Sequence, residues 1–233
     1  MVNEGKYKLY GGTDPRDLAC YSISEAAWHT KVPSRTLRTW IKDDDSPQPT
    51  PLIIIPQGSI KYLSFNNLIE VFVLNAIRNK HNISMPKVRQ AVGYLRTVFK
   101  SEHPLAEREF ETDGIDLFFK DQSGEIINAS RGGQMAFKEV IKPFLSRIEW
   151  DTEGHALKLY PFIKAFGDED TRNVVINPFV SFGKPVITGT GIQTSIIAER
   201  YKAGDSIDIL SSDYKCSLLQ VEDAIRYEFS HAA

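Results

Sequence analysis

Only two cysteines, Cys20 and Cys216, occur in 233 residues, and they lie far apart. That excludes a disulfide framework, and both thiols are expected to be reduced and partly buried. The histidines at 29, 81, 103, 155 and 231 are scattered, and no pair has the close spacing that a zinc site requires. No metal or other cofactor is therefore expected. No apolar run approaches the about 18 residues of a membrane span. The opening MVNEGKYKLYGG has no apolar core behind its lysines, so it is not expected to act as a secretory leader. The expected location is the cytoplasm. There is no internal repeat and no low-complexity tract.

Ordinary globular composition remains, with 42% hydrophobic and 25% charged residues. The net charge of −2 hides an asymmetry. Residues 1–104 hold 14 Lys+Arg against 9 Asp+Glu, and residues 105–233 hold 14 against 21. A front of +5 beside a rear of −7 suggests that only the front faces an anionic polymer.

Hydrophobic periodicity predicts helices over 22–42, interrupted by Lys31-Val32-Pro33, with Ser24 as the N-cap. PLIII and SIKYL around Gln57-Gly58 read as a hairpin. FNNLIEVFVLNAIRNK is a helix with Leu68, Phe72, Asn75 and Ile77 near one face, and SMPKVRQAVGYLRTVFK is another, opened by Ser84 and Pro86. SEHPLAE reads as a domain boundary. EREFETDGIDLFFK and GEIINAS then read as strands, MAFKEVIKPFLSRI as a helix broken or kinked near Pro143, and IEWDTEGHALKLYPFI as a hairpin turning at Glu153-Gly154. NVVINP is a short strand, and three short helical patterns follow from Gln193 onward.

Helix, tight turn, helix, hairpin is the order of a winged helix-turn-helix, whose second helix must offer donors to phosphates and base edges. Ser34, Arg35, Thr36, Arg38, Thr39 and Lys42 supply such a face, while Val32, Leu37 and Trp40 form the inward stripe. A solvated surface helix could carry the same two arginines. YSISEAAWHTKVPSRTLRTWIK resembles the opening of MerR-type regulators, over residues 21 to about 98. The resemblance implies DNA contacts from Ser34, Arg35, Thr36 and Arg38, with Lys61 on the wing. The long dimerising helix of that family has no counterpart here, because the helical pattern stops near Ser101, and Asp43, Asp44 and Asp45 are expected to point away from a duplex.

The stretch GKPVITGTGIQTSII raises the question of a phosphate loop. A P-loop needs its lysine after the last glycine, but Lys184 follows the first and precedes Pro185. A dinucleotide fingerprint starting at Gly189-Thr190-Gly191 would need a third glycine where Thr194 stands. The glycines instead suit a turn, with Thr194 or Ser195 capping the next helix. Gly183, Lys184, Pro185, Ile187, Gly189, Thr190, Gly204, Ser206, Asp213, Tyr214, Ala224, Ile225, Tyr227 and Glu228 together make this region similar to a small domain of VapB-type antitoxins. Many relatives have arginine where Gly191 stands here. The last helix, with Gln220, Glu222, Asp223 and Glu228 against Arg226, reads as an acidic face suited to a protein partner rather than to phosphates. A dimerisation or purely structural role is the alternative.

The expected fold is α+β, mainly α. It comprises a winged helix-turn-helix over 1–104, a β-rich middle segment over 105–173 and a tri-helical winged-helix-like domain over 174–233. The two resemblances together imply a non-enzymatic, dimeric antitoxin that binds operator DNA and represses its own operon. They also imply a cognate PIN-like ribonuclease toxin as its partner. The alternative is a regulator sensing a small ligand through Phe110, Phe118, Phe119, Trp150, Tyr160 and Phe162. An enzyme built on Asp151, Glu153 or His155 is disfavoured, since no nucleophile–base pair accompanies them.

Overall fold

The computed structural model of the chain describes residues 7–41, 51–58, 62–80, 85–115, 139, 141–161 and 171–230. They form a mainly helical α+β protein with small antiparallel sheets. The chain divides into two units, Met1–Ala156 and Leu157–Ala233. Pro104–Ala106, beside the expected boundary at 104, is buried and packs on the helices of the first unit.

In the first unit, β1 (Tyr21–Ser22) leads directly into α1 (Ile23–Thr30). The N-cap is Ser22 rather than Ser24. Its hydroxyl accepts from the Glu25 N–H at 3.2 Å, and the Glu25 carboxylate accepts from the Ser22 N–H at 2.9 Å. This reciprocal arrangement satisfies two N–H groups at the helix start and fixes where it begins. Lys31, at φ 57°, stops α1, and α2 (Ser34–Ile41) restarts after Pro33. Leu37 and Trp40 bury the inward stripe of α2; a leucine buried this way contributes about 1.5–3 kcal/mol.

The expected hairpin over 51–63 is not formed in the described residues. Only β2 (Tyr62–Leu63) is a strand, and it pairs antiparallel with β1. Leu52 and Ile53 are instead buried anchors. Their backbone finds partners without a second strand: Ile53 N–H donates to Trp40 C=O at 3.0 Å. Arg96 donates to the carbonyls of Pro51 and Leu52, and Asn67 to that of Ile54. Side-chain donors satisfy the carbonyls that a ladder would otherwise have held.

Helix α3 (Phe65–Lys80) is buried almost all round up to Ile77, so its pattern exceeds a single face. It packs against α1 and against Pro104–Ala106, which also meets α4 (Met85–Phe99). Residues 108–115 are helical rather than extended, with a π-helical turn over Phe110–Gly114. Phe110 and Ile115, five apart, are both buried, which suits the i to i+5 spacing of that turn. Ile141–Leu145 are helical through Pro143. After β3 (Ile148–Trp150) the chain turns at Gly154, φ 89°, toward β4 (Ala156–Leu159), as its sequence predicts.

In the second unit, β5 (Val174–Val175) pairs antiparallel with β6 (Val186–Ile187). Three helices follow: α5 (Thr194–Lys202), α6 (Ile207–Tyr214) and α7 (Leu218–Phe229). Ile187, Ile197, Leu210, Cys216, Val221, Ala224 and Ile225 form their common core. Ser206 and Ser217 cap α6 and α7. The cap residue of α5 is Gln193, with no side-chain hydrogen bond, so neither Thr194 nor Ser195 caps it. Among the described residues, no helix is long and apolar enough to cross a membrane.

Candidate functional site

Two arginines of neighbouring helices bond to α2, and the end of α1 and the turn that lead into it are fixed as well. From α1, the Val32 N–H returns to the Ala27 carbonyl at 3.0 Å, and the Asn75 amide of α3 caps the Thr30 carbonyl at 3.0 Å. From α3, Arg78 Nη1 donates to the Thr36 hydroxyl at 3.0 Å. From α4, Arg89 Nη2 donates to the Thr39 carbonyl at 2.9 Å, placing a cation at the negative C-terminal end of α2. Arg35, Arg38 and Thr39 are exposed on this helix, with Ser34 and Thr36 half-buried. Arg78 is exposed beside them and Arg89 half-buried. The result is a short, braced helix with arginines on and around its outer side. Such a surface can donate to phosphate oxygens or base edges.

Two of the expected contact residues are partly engaged within the protein. The Thr39 hydroxyl donates to the Thr36 carbonyl at 2.7 Å, so outward it can only accept. The Thr36 hydroxyl already accepts from Arg78. Lys42, Lys61 and the aspartates at 43–45 lie outside the described residues. Sequence periodicity missed Arg78 and Arg89, because their relation to α2 spans 42 and 50 residues.

Elsewhere in the first unit, Glu70 is wholly buried with one oxygen 3.0 Å from His103 Nδ1. Burial alone would depress the His103 pKa, but the Glu70 carboxylate outweighs it and holds the imidazole above its ordinary value. Asp17, Ile54, Ile55, Pro56, Gln57, Ser64, Glu102 and His103 line a half-open cavity of about 430 Å³. Three of the six aromatics expected to form a ligand pocket are described, and each is engaged elsewhere. Phe110 is in the core of the first unit, and Tyr160 packs with Val175 and Val186 in the second. The Trp150 indole N–H donates to Glu111 at 2.9 Å, while Phe118, Phe119 and Phe162 lie outside the described residues.

Asp151, Glu153 and His155 bring ligand-type atoms within 4.8 Å of one another. The Asp151 carboxylate is already engaged, however. One oxygen accepts the N–H groups of Glu153 and His155, both at 2.9 Å, and the other accepts from Arg16 at 2.7 Å. Those donors hold its pKa below the ordinary value against the opposing pull of desolvation. The cluster builds the turn at Gly154.

In the second unit, the glycine-rich stretch forms a tight hairpin. Ile187 N–H donates to Ile192 C=O at 2.9 Å and Thr190 N–H to Ile187 C=O at 3.0 Å, around Gly189 at φ 81°. Signature residues and their neighbours cross-link the helices. Buried Thr194 donates to the Glu228 carboxylate. Arg200 joins Asp205 at 2.6 Å and Asp213 at 2.8 Å, with its guanidinium 5.3 Å from the Tyr214 ring centroid. Tyr227 is wholly buried, and burial plus the Glu228 charge push its phenol well above the ordinary pKa. At Gly191 an added Cβ would meet nothing within 4 Å, so a side chain would fit there.

The acidic outer face expected of α7 does not exist in that form. Asp223 is wholly buried, because the Asn173 amide reaches it at 2.9 Å and Arg226 covers its other oxygen at 3.0 Å. Gln220 closes the capping box with Ser217 and donates to the Thr188 carbonyl at 3.2 Å. Glu222 remains at the surface, paired with Arg226 at 2.8 Å. Beside exposed polar residues such as Glu199, Lys202, Asp208 and Arg226, the three helices expose Ile196, Tyr201, Ile209, Leu218 and Leu219, each between 39% and 49% accessible.

Comparisons with known proteins bear on both units. A family model described as "Protein of unknown function (DUF433)" matches residues 174–227, which contain the hairpin and nearly all of the three helices. From Mycobacterium tuberculosis (strain ATCC 25618 / H37Rv), a protein named "Putative antitoxin VapB45" is 29% identical over 231 residues. The match covers 90% of this chain and 93% of that one. A second protein of that strain, "Uncharacterized protein Rv2308", is 25% identical and covers 92% of each chain. The crystal structure of Rv2018 from Mycobacterium tuberculosis superposes with a TM-score of 0.69 at 27% identity, covering 90% of this chain and 98% of that one. The similarity thus runs through both units rather than through the signature region alone.

Proposed function

We propose that this chain is a cytoplasmic, dimeric antitoxin that binds operator DNA through its first unit and neutralises a cognate toxin through its second. The observation that carries the DNA half is the braced helix α2, with Arg35 and Arg38 exposed and Arg78 and Arg89 drawn in from α3 and α4. Arginine forks suit guanine edges and phosphates, and a helix fixed by its neighbours loses little freedom on binding. In this reading Ser34, Arg35, Thr36, Arg38 and Thr39 face the duplex, with Lys42 and Lys61 extending the contact, and binding represses the chain's own operon.

The antitoxin half is supported by the similarity to the named antitoxin relative across 90% of this chain. The toxin is taken to be a PIN-like ribonuclease, as the resemblance of residues 183–228 implies. Burial of Asp223 moves the expected partner surface. Docking rests on the exposed apolar residues Ile209, Leu218 and Leu219, with Glu222 and Arg226 as a paired polar border. Catalysis is not part of this reading. Asp151, one of the acid–base candidates of the middle segment, is taken up by the Gly154 turn and Arg16.

Co-expression of the full chain with the gene adjacent to its own tests the antitoxin reading. A complex that survives gel filtration and suppresses ribonuclease activity is expected. Two separate peaks with undiminished nuclease activity would overturn it.

A further inference from the structure

Arg78 stands out on α3. From Phe65 to Ile77 that helix is almost wholly buried, and it reaches the surface at Arg78, next to α2. The guanidinium donates through Nη1 to the Thr36 hydroxyl at 3.0 Å, using one of the five N–H donors of its fork. A lone, exposed bond of this kind adds little to folding stability. Its effect on Thr36 is larger. A hydroxyl that accepts from a cation is polarised, and its own proton is directed elsewhere, as a donor. Thr39 is the opposite case, since its proton is held by the Thr36 carbonyl at 2.7 Å.

We propose that Arg78 and Thr36 form one DNA-contacting unit, in which Arg78 positions the Thr36 hydroxyl as a donor and sets its own charge on a backbone phosphate beside α2. The DNA-facing surface therefore extends beyond α2 onto α3. This rests on the reading of α2 as the DNA-contacting helix. Arg78 is a positioning residue for Thr36 and a phosphate ligand in its own right.

The test is equilibrium binding of the full chain to a duplex taken from immediately upstream of its own coding sequence, measured across a range of salt. Arg78→Ala should weaken binding roughly 5- to 30-fold and lower the slope of log K against log salt by about one. Arg78→Lys should restore the slope but not the full affinity, because an ammonium lacks the planar fork. Thr36→Val should weaken binding, and adding it to Arg78→Ala should cost less than the two single effects combined. Thermal midpoints of all variants serve as the folding control. If Arg78→Ala fails to fold, Arg78→Gln, which keeps a side-chain donor without the charge, reads the slope instead. Unchanged affinity and slope on loss of the Arg78 charge, while Arg35→Ala/Arg38→Ala weakens binding, would overturn the proposal alone. No effect from Arg35→Ala/Arg38→Ala would sink the DNA reading of α2 and this unit with it.

Discussion

The two units use their polar side chains differently. In the second, the signature region commits its polar side chains to pairs within the unit, some buried and some at the surface. Thr194 meets Glu228, Arg200 ties Asp205 and Asp213, Asp223 is sealed by Asn173, and Tyr227 is wholly buried. In the first, the arginines and threonines of α2 stay on or near the surface while neighbouring helices brace it. A memorable motif can therefore be a record of folding. The glycine-rich stretch illustrates this, since its threonines and glycines close a hairpin rather than cradle a phosphate.

Substitutions should separate the two kinds of residue. Tyr227→Ala removes a wholly buried ring and should destabilise the second unit by about 3–5 kcal/mol. All three tryptophans, Trp28, Trp40 and Trp150, lie in the first unit. Unfolding followed by far-ultraviolet dichroism should therefore move to lower denaturant, while the tryptophan-reported transition keeps its midpoint. DNA binding by the folded protein should be unaffected. Equal shifts in both transitions would erase the contrast between the units.

A smaller effect is expected from the Glu70–His103 pair in the first unit. Its imidazole has a folded-state pKa raised above the ordinary 6.5, with Glu70, Asp17 and Glu102 as the carboxylates acting on it. The pair's stabilising contribution is then fully present below about pH 6.5 and is lost as pH rises through the folded value. His103→Gln should flatten that part of the profile. Tryptophan-monitored unfolding at about pH 5 and about pH 9 should show a wild-type advantage at the lower pH only. An advantage of equal size at both would mean that the pair acts without its charge.

Much of the fold could be read from local pattern. The α1–turn–α2 pair, α3, α4 and the three helices of the second unit all have a clear helical period, and serines mark several of their starts. The pattern misled where tertiary contacts decided the outcome. Residues 51–55 are as apolar as a strand, but Arg96 and Asn67 satisfy carbonyls along that stretch, so no strand partner is needed. Residues 108–115 alternate enough to suggest a strand, yet Phe110 and Ile115 are buried together on a π-helical turn. The site divides in the same way. Ser34 to Thr39 are visible as the outer face of a short helix, whereas Arg78 and Arg89 become its neighbours only through folding. Asp223 looks like a surface acid until Asn173, 50 residues away, is brought over it.

The contrast between the units turns most directly on whether the outer face of α2 holds DNA. Fluorescence anisotropy of a labelled duplex from upstream of the gene, at fixed salt, compares the full chain with its Arg35→Ala/Arg38→Ala variant. The double substitution should weaken binding by about 2–6 kcal/mol while leaving the thermal midpoint unchanged, because both side chains are exposed. Equal affinity for the two proteins would contradict the assignment of α2 as the DNA-contacting helix.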